Sequence, residues 1–138
     1  MTQVKVEQAI EASAEAVWAL VRDFGEVGRW SAGISSCEVD GSGVGAVRTL
    51  RVGDMVIREK LESHDDEARE FQYSIVDAPL PIQRYLATFR VAPEGDGARI
   101  TWSSEFAHDG ISEGDARALI EGTYRAGIRG ICKALGIG

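Results

Sequence analysis

The stretch Arg48-Thr49-Leu50-Arg51-Val52-Gly53-Asp54-Met55-Val56-Ile57-Arg58-Glu59 decides the fold. Its apolar positions recur every second residue on both sides of Gly53-Asp54. A Gly-Asp pair between two such runs reads as a two-residue hairpin, the pair supplying the positive φ that these turns need. Val52 then pairs with Met55, Leu50 with Ile57 and Arg48 with Glu59. The stripe Ile57, Glu59, Leu61 sets one carboxylate between two apolar side chains, with a guanidinium as its cross-strand neighbour favouring the charged form.

Working outward, the same period of two predicts strands over Ile34–Val39, Ala46–Val52, Met55–Ser63, Arg69–Val76, Gln83–Val91 and Ala98–Phe106. Their separators are turn-like: Asp40-Gly41-Ser42-Gly43, Gly53-Asp54, Asp65-Asp66-Glu67 and Glu94-Gly95-Asp96-Gly97. The connection Ala78-Pro79-Leu80-Pro81 differs in being apolar and carrying two prolines. Upstream, Val4, Val6 and Ile10 alternate along a first strand, and Ser13 caps a helix carrying Val17, Leu20, Val21 and Phe24 that stops at Gly25. Glu26 to Trp30 suggests a second short helix. Downstream, Ser112 caps a helix with Glu113 and Asp115 in its first turn, and Gly136 ends it after Leu135. The order is β-α-α-β-β-β-β-β-β-α. Six consecutive strands joined by short turns imply an antiparallel meander with helices on one face, an α+β fold.

The 138 residues suit one domain, 1–138. With 44% hydrophobic and 27% charged residues the chain is globular. A net charge of −7 argues against nucleic acid or an anionic membrane as partner, because both attract basic surfaces. The start, Met1-Thr2-Gln3-Val4-Lys5, lacks the apolar run of a signal peptide, and no stretch has the length to span a bilayer. A cytoplasmic protein is expected. Cys37 and Cys132 fall outside any paired spacing and read as ordinary reduced thiols. His64 and His108 lack neighbours at ligand spacing, so no metal and no cofactor is expected. His64 precedes a turn and reads as solvated.

The inward faces are aromatic but interrupted: Phe71, Tyr73, Ile75 on one strand, Tyr85, Ala87, Phe89, Val91 on the next, and Ile100, Trp102, Ser104, Phe106 on the last. Tyr73 and Tyr85 can serve a site or be core tyrosines with hydroxyls at an edge. Arg48 and Glu59 have two readings. Burying an ion pair costs several kcal/mol per ion before attraction repays it, which favours a ligand-facing role. A salt bridge at the open sheet edge, worth roughly 0–1 kcal/mol, is the plainer one. The last helix presents Ile120, Tyr124, Ile128, Ile131 and Leu135, with Leu119 and Thr123 beside them. Gly122, Gly127 and Gly130 each cost roughly 1 kcal/mol against Ala in a helix. They leave room for a ligand or let the helix approach the sheet.

Several segments together resemble a known superfamily: Asp23-Phe24 leading to Trp30, Arg58-Glu59-Lys60-Leu61-Glu62 before Asp65-Asp66-Glu67, Tyr73 through Tyr85, and Trp102-Ser103-Ser104-Glu105-Phe106. The chain resembles the START-like (SRPBCC) superfamily in its polyketide cyclase/dehydrase branch, and is similar to the plant abscisic-acid receptors. The resemblance implies a helix-grip fold, a curved seven-stranded antiparallel sheet around the C-terminal helix, enclosing an apolar cavity. It implies Glu59 as the acid reaching ligand polar groups through water and Tyr85 as a pocket tyrosine. Tyr73, Ile75, Ile82, Ala87, Ser104, Leu119 and Thr123 fall at lining positions, and Pro79–Ile82 at a loop over the mouth. The chain departs from the receptors in two places: the tight Gly53-Asp54 turn replaces their longer gate loop, and Ser31 stands where they carry an acid-anchoring lysine.

The expected function is binding or carriage of an apolar small molecule such as a lipid, polyketide or aromatic metabolite. Leu50, Ile57, Glu59, Tyr73, Ile75, Ile82, Tyr85, Ala87, Phe89, Trp102, Ser104, Leu119 and Thr123 would form the site. The alternative is a cyclase or dehydratase with Glu59 as acid or base, Arg48 tuning it or stabilising an enolate, and Tyr85 donating a hydrogen bond. An Arg-paired carboxylate is a mediocre base near neutral pH, which favours binding. A third reading fills the interior with Trp102, Tyr73 and Phe89, leaving a protein-interaction module. No nucleic acid and no stable membrane insertion is expected, and a homodimer is compatible with the chain.

Overall fold

The structure, a computed structural model, describes residues 1–31 and 33–138. Seven strands form one antiparallel sheet: β1 (Thr2–Ile10), β2 (Ser36–Asp40), β3 (Val47–Val52), β4 (Met55–Asp65), β5 (Glu70–Asp77), β6 (Ile82–Glu94) and β7 (Gly97–His108). Their spatial order is β1-β7-β6-β5-β4-β3-β2, so β2 to β7 make an uninterrupted meander and β1 closes beside β7. Two helices, α1 (Ala14–Val21) and α2 (Glu113–Ala134), and a 3₁₀ segment (Phe24–Arg29) complete the chain in the expected order. The curved sheet grips α2, the helix-grip arrangement that the family resemblance implies.

Local chemistry sets the helix ends. The Ser13 side chain accepts from Ala16 N at 3.1 Å, and Ser112 accepts from Asp115 N at 3.1 Å. Gly136, at φ 72°, ends α2. The short helix starts earlier than expected, at Phe24 rather than Glu26, because the Asp23 carboxylate accepts from Gly25 N at 3.2 Å and caps it there.

The hairpin register holds throughout: Val52 pairs with Met55, Leu50 with Ile57 and Arg48 with Glu59. Of the two turn residues only Gly53 has a positive φ, 60°. Three other irregularities bend the sheet, one of them leaving Glu62 as an extra residue between Leu61 and Ser63 of β4. Between Arg58 and Glu59 the pairing of β4 with β5 shifts by one, leaving Val76 as an extra residue. On β6, Arg84 and Tyr85 together oppose one residue of β7, and Arg84 takes the left-handed φ of 54°. Bulges kink a strand and re-aim its side chains.

The core is aromatic. Phe71 stacks on Phe89 at 5.3 Å, Phe89 meets Trp102 edge-on at 5.0 Å, and Trp102 lies flat on Tyr124 of α2 at 4.5 Å. Trp30 closes the cluster, edge-on to Trp102 at 6.1 Å. Helix glycines make this approach feasible. A Cβ on Gly127 would lie 2.6 Å from the Trp102 ring, and one on Gly130 would strike the Trp30 carbonyl oxygen, while a Cβ on Gly122 meets nothing. Close approach therefore explains Gly127 and Gly130, and neither reading is required for Gly122.

His64 is less solvated than expected. Its ring lies 5.3 Å from Trp18, and Nε2 is 3.0 Å from Asp66. Asp66 also accepts from Trp18 Nε1 at 2.9 Å and from Arg22 Nε and Nη2 at 3.1 Å, tying the β4–β5 turn to α1. Burial pushes the Cys37 and Cys132 thiols above their ordinary range, so both stay protonated near neutral pH.

Candidate functional site

A cavity of about 390 Å³ opens between β3, β4 and β5 on one side and the middle of α2 on the other. Leu50 and Val52 of β3, Met55, Ile57 and Glu59 of β4, and Tyr73 and Ile75 of β5 form the sheet wall. Leu119, Ile120, Thr123, Ala126 and Gly127 of α2 face them. Ser31, Gly33 and Ile34 before β2, Leu80 of the Ala78–Pro81 connection and Tyr85 of β6 complete the lining. Its volume lies near the lower end of the range for small-molecule pockets. Among the described lining residues Glu59 carries the only charge.

Glu59 is held from behind. Arg48, which does not line the cavity, donates from Nε to Glu59 Oε1 at 2.8 Å and brings Nη2 within 2.7 Å of the same oxygen. Its Nη1 donates to the Phe24 carbonyl at 2.9 Å, and the guanidinium lies 3.9 Å from the Phe24 ring centroid and 5.3 Å from that of Tyr73. Arg48 is 5% exposed and Glu59 9%, so this pair is buried in the cavity wall rather than placed at an open sheet edge. No donor among the described residues reaches Oε2.

Beside Glu59 runs a chain of hydroxyls. Trp102 Nε1 donates to Tyr73 Oη at 3.1 Å, Tyr73 Oη lies 3.4 Å from Tyr85 Oη, and Tyr85 is hydrogen-bonded to Tyr124 of α2. Burial pushes the hydroxyls of Tyr73, Tyr85 and Tyr124 well above the ordinary tyrosine range, so all three are neutral near neutral pH. Two of the bulges adjoin this polar end: one shifts the register at Glu59, the other pairs Arg84 and Tyr85 against a single residue.

The structure brings Leu50, Ile57, Glu59, Tyr73, Ile75, Tyr85, Leu119 and Thr123 together on the cavity wall. Ala87, Phe89, Trp102 and Ser104 lie off it: they point inward, but into the packed aromatic half of the grip, where the rings of Phe89 and Trp102 meet Trp30 and Tyr124. Ile82 also lies off the wall, half-buried at the start of β6. Arg48 supports the site from outside the cavity. The Tyr124 hydroxyl was not foreseen, since Tyr124 reads as one more apolar residue of the helix stripe; the signal was that a buried tyrosine needs a hydroxyl partner. Ser31 stands at the position of the receptors' lysine, whereas Gly33 gave no pattern to read.

The family model described as polyketide cyclase / dehydrase and lipid transport matches residues 1–136. The chain belongs to this family. Its fold is that of the START-like helix-grip superfamily, as solved structures bear out. XoxI from Bacillus cereus is 31% identical over 97% of this chain and 95% of its own, with a TM-score of 0.90. A putative uncharacterized protein from Bacillus thuringiensis is 31% identical over 96% of this chain and 97% of its own, with a TM-score of 0.89. A protein from Thermobifida fusca is 26% identical over 95% of this chain and 91% of its own, with a TM-score of 0.86. No curated protein matches the chain. Among the described residues, no helix is long and apolar enough to cross a membrane.

Proposed function

We propose that this polyketide cyclase/dehydrase and lipid transport family member binds and carries one apolar small molecule, of lipid, polyketide or aromatic type, in the cavity between β3–β5 and α2. The observation that carries this reading is the cavity itself, about 390 Å³ walled by aliphatic side chains with one carboxylate. Removing apolar ligand surface from water supplies the affinity, and the few polar groups orient the ligand. Tyr73, Phe89 and Trp102 do fill part of the interior, but beside the cavity rather than in it.

Acid–base catalysis by Glu59 is the weaker reading. Arg48 occupies one carboxylate oxygen, and the tyrosines are poor proton donors near neutral pH because burial raises them. The test is uptake of the neutral dye Nile red, with native mass spectrometry of the purified protein. The wild type takes up the dye, and Ala126→Trp, which grows from the α2 wall into the cavity, suppresses uptake while the protein stays folded. Equal uptake by both would remove the cavity from the account.

A further inference from the structure

The polar end of the cavity offers acceptors. The Glu59 side chain accepts from Arg48, and a carboxylate has acceptors only. Both nearby Arg48 nitrogens, Nε and Nη2, address Oε1, so Oε2 remains for whatever occupies the cavity.

The tyrosines extend the argument by proton counting. Trp102 can only donate, so it takes one lone pair of Tyr73. The hydroxyls of Tyr73, Tyr85 and Tyr124 then hydrogen-bond to one another in a single chain, so Tyr73 and Tyr85 meet the cavity with much of their bonding capacity already used inside the wall. Thr123 commits its proton to the Leu119 carbonyl at 2.9 Å. Outside the tyrosine chain, Ser31 carries the remaining hydroxyl among the described lining side chains, and no lysine, arginine or histidine is among them.

Resting on the carrier reading above, we propose that the cavity selects ligands whose polar end donates a hydrogen bond, a hydroxyl or a primary ammonium, to Glu59 Oε2, and rejects carboxylates. A donor group gains a charge-assisted bond there. A carboxylate brings a second negative charge beside Glu59, whose own charge already takes up the single Arg48 guanidinium, and it has no proton to donate.

Four probes of equal chain length separate the terms: 1-decanol, decylamine, decanoate and decyl methyl ether, each competing against Nile red at neutral pH. Decanol and decylamine are expected to displace the dye at concentrations about tenfold or more below those needed for decanoate and the ether. In Glu59→Gln, decylamine loses its advantage over the ether. Decanoate competing as well as decanol, or the ether as well as decanol, overturns the proposal. So does decylamine competing unchanged against Glu59→Gln. If that variant does not fold, the ranking of the four probes on the wild type decides alone. Dye uptake with all four probes equal would leave the carrier reading standing and remove this one; no dye uptake would remove both.

Discussion

Arg48 places Nε at 2.8 Å and Nη2 at 2.7 Å from a single oxygen of Glu59, a residue of the cavity wall. The pair is buried, so its two halves are not independent. Arg48→Ala strands a carboxylate in the cavity wall and is expected to cost about 3–5 kcal/mol. Replacing both residues, as in Arg48→Met with Glu59→Leu, recovers most of that loss, because neither charge then needs compensation. Urea unfolding of the two variants checks this; equal instability of the single and the double variant would contradict it.

The chain has three tyrosines, and all three sit in the one hydroxyl network. Burial raises each of them, so the folded protein holds protons that the unfolded chain releases near pH 10. The native state binds more protons than the unfolded state above that pH, and stability falls as pH rises. It is fully present below about pH 10 and declines above it by up to about 4 kcal/mol per pH unit. Tyrosinate absorbance is expected in one cooperative step coincident with loss of circular dichroism. A tyrosine ionising in the folded protein near pH 10 would break the network as described.

Removing one member tests the same network at neutral pH. Tyr124→Phe leaves the Tyr85 hydroxyl without its partner on α2 and is expected to cost ~1–3 kcal/mol. Denaturant midpoints measure it, and a loss no larger than a few tenths of a kcal/mol would mean that the hydroxyl bonds elsewhere.

The three helix glycines are expected to diverge. Gly130→Ala drives a methyl group into the Trp30 carbonyl, which as backbone cannot step aside, and destabilises by about 1–3 kcal/mol. Gly127→Ala meets the Trp102 ring and is also unfavourable. Gly122→Ala meets nothing and is expected to stabilise by about 1 kcal/mol through helix propensity. Thermal unfolding ranks them, and a destabilising Gly122→Ala would contradict this account.

Arg84 is an exposed, non-glycine residue at φ 54°. Glycine tolerates that conformation and a β-branched residue does not. Arg84→Gly is expected to hold or raise stability by up to about 1 kcal/mol, and Arg84→Val to lower it by about 1–2 kcal/mol. The reverse order of melting temperatures would mean the bulge is not strained.

Much of this arrangement was legible because β-structure writes its register locally. Gly53-Asp54 fixes which residues oppose one another, and from that alone Arg48 falls beside Glu59 on an inward face. Alternation reports the face but not the depth. Ala87 and Phe89 share a face with Tyr85, yet of the three only Tyr85 reaches the cavity, and Phe89 is enclosed by the rings of Trp30, Phe71 and Trp102. The bulges at Glu59 and Arg84 were equally hidden, since neither carries the glycine that usually marks one. The helix glycines stayed ambiguous until the distance from α2 to Trp30 and Trp102 was known.

The aromatic block under α2 divides labour within the grip. Rings from β5, β6, β7 and α2 hold the halves of the molecule together, while the aliphatic wall of β3 and β4 mostly bounds open space. Substitutions in that wall can therefore reshape what is accommodated without eroding the scaffold. Chemical preference in such a protein is free to diverge quickly among descendants that keep one architecture.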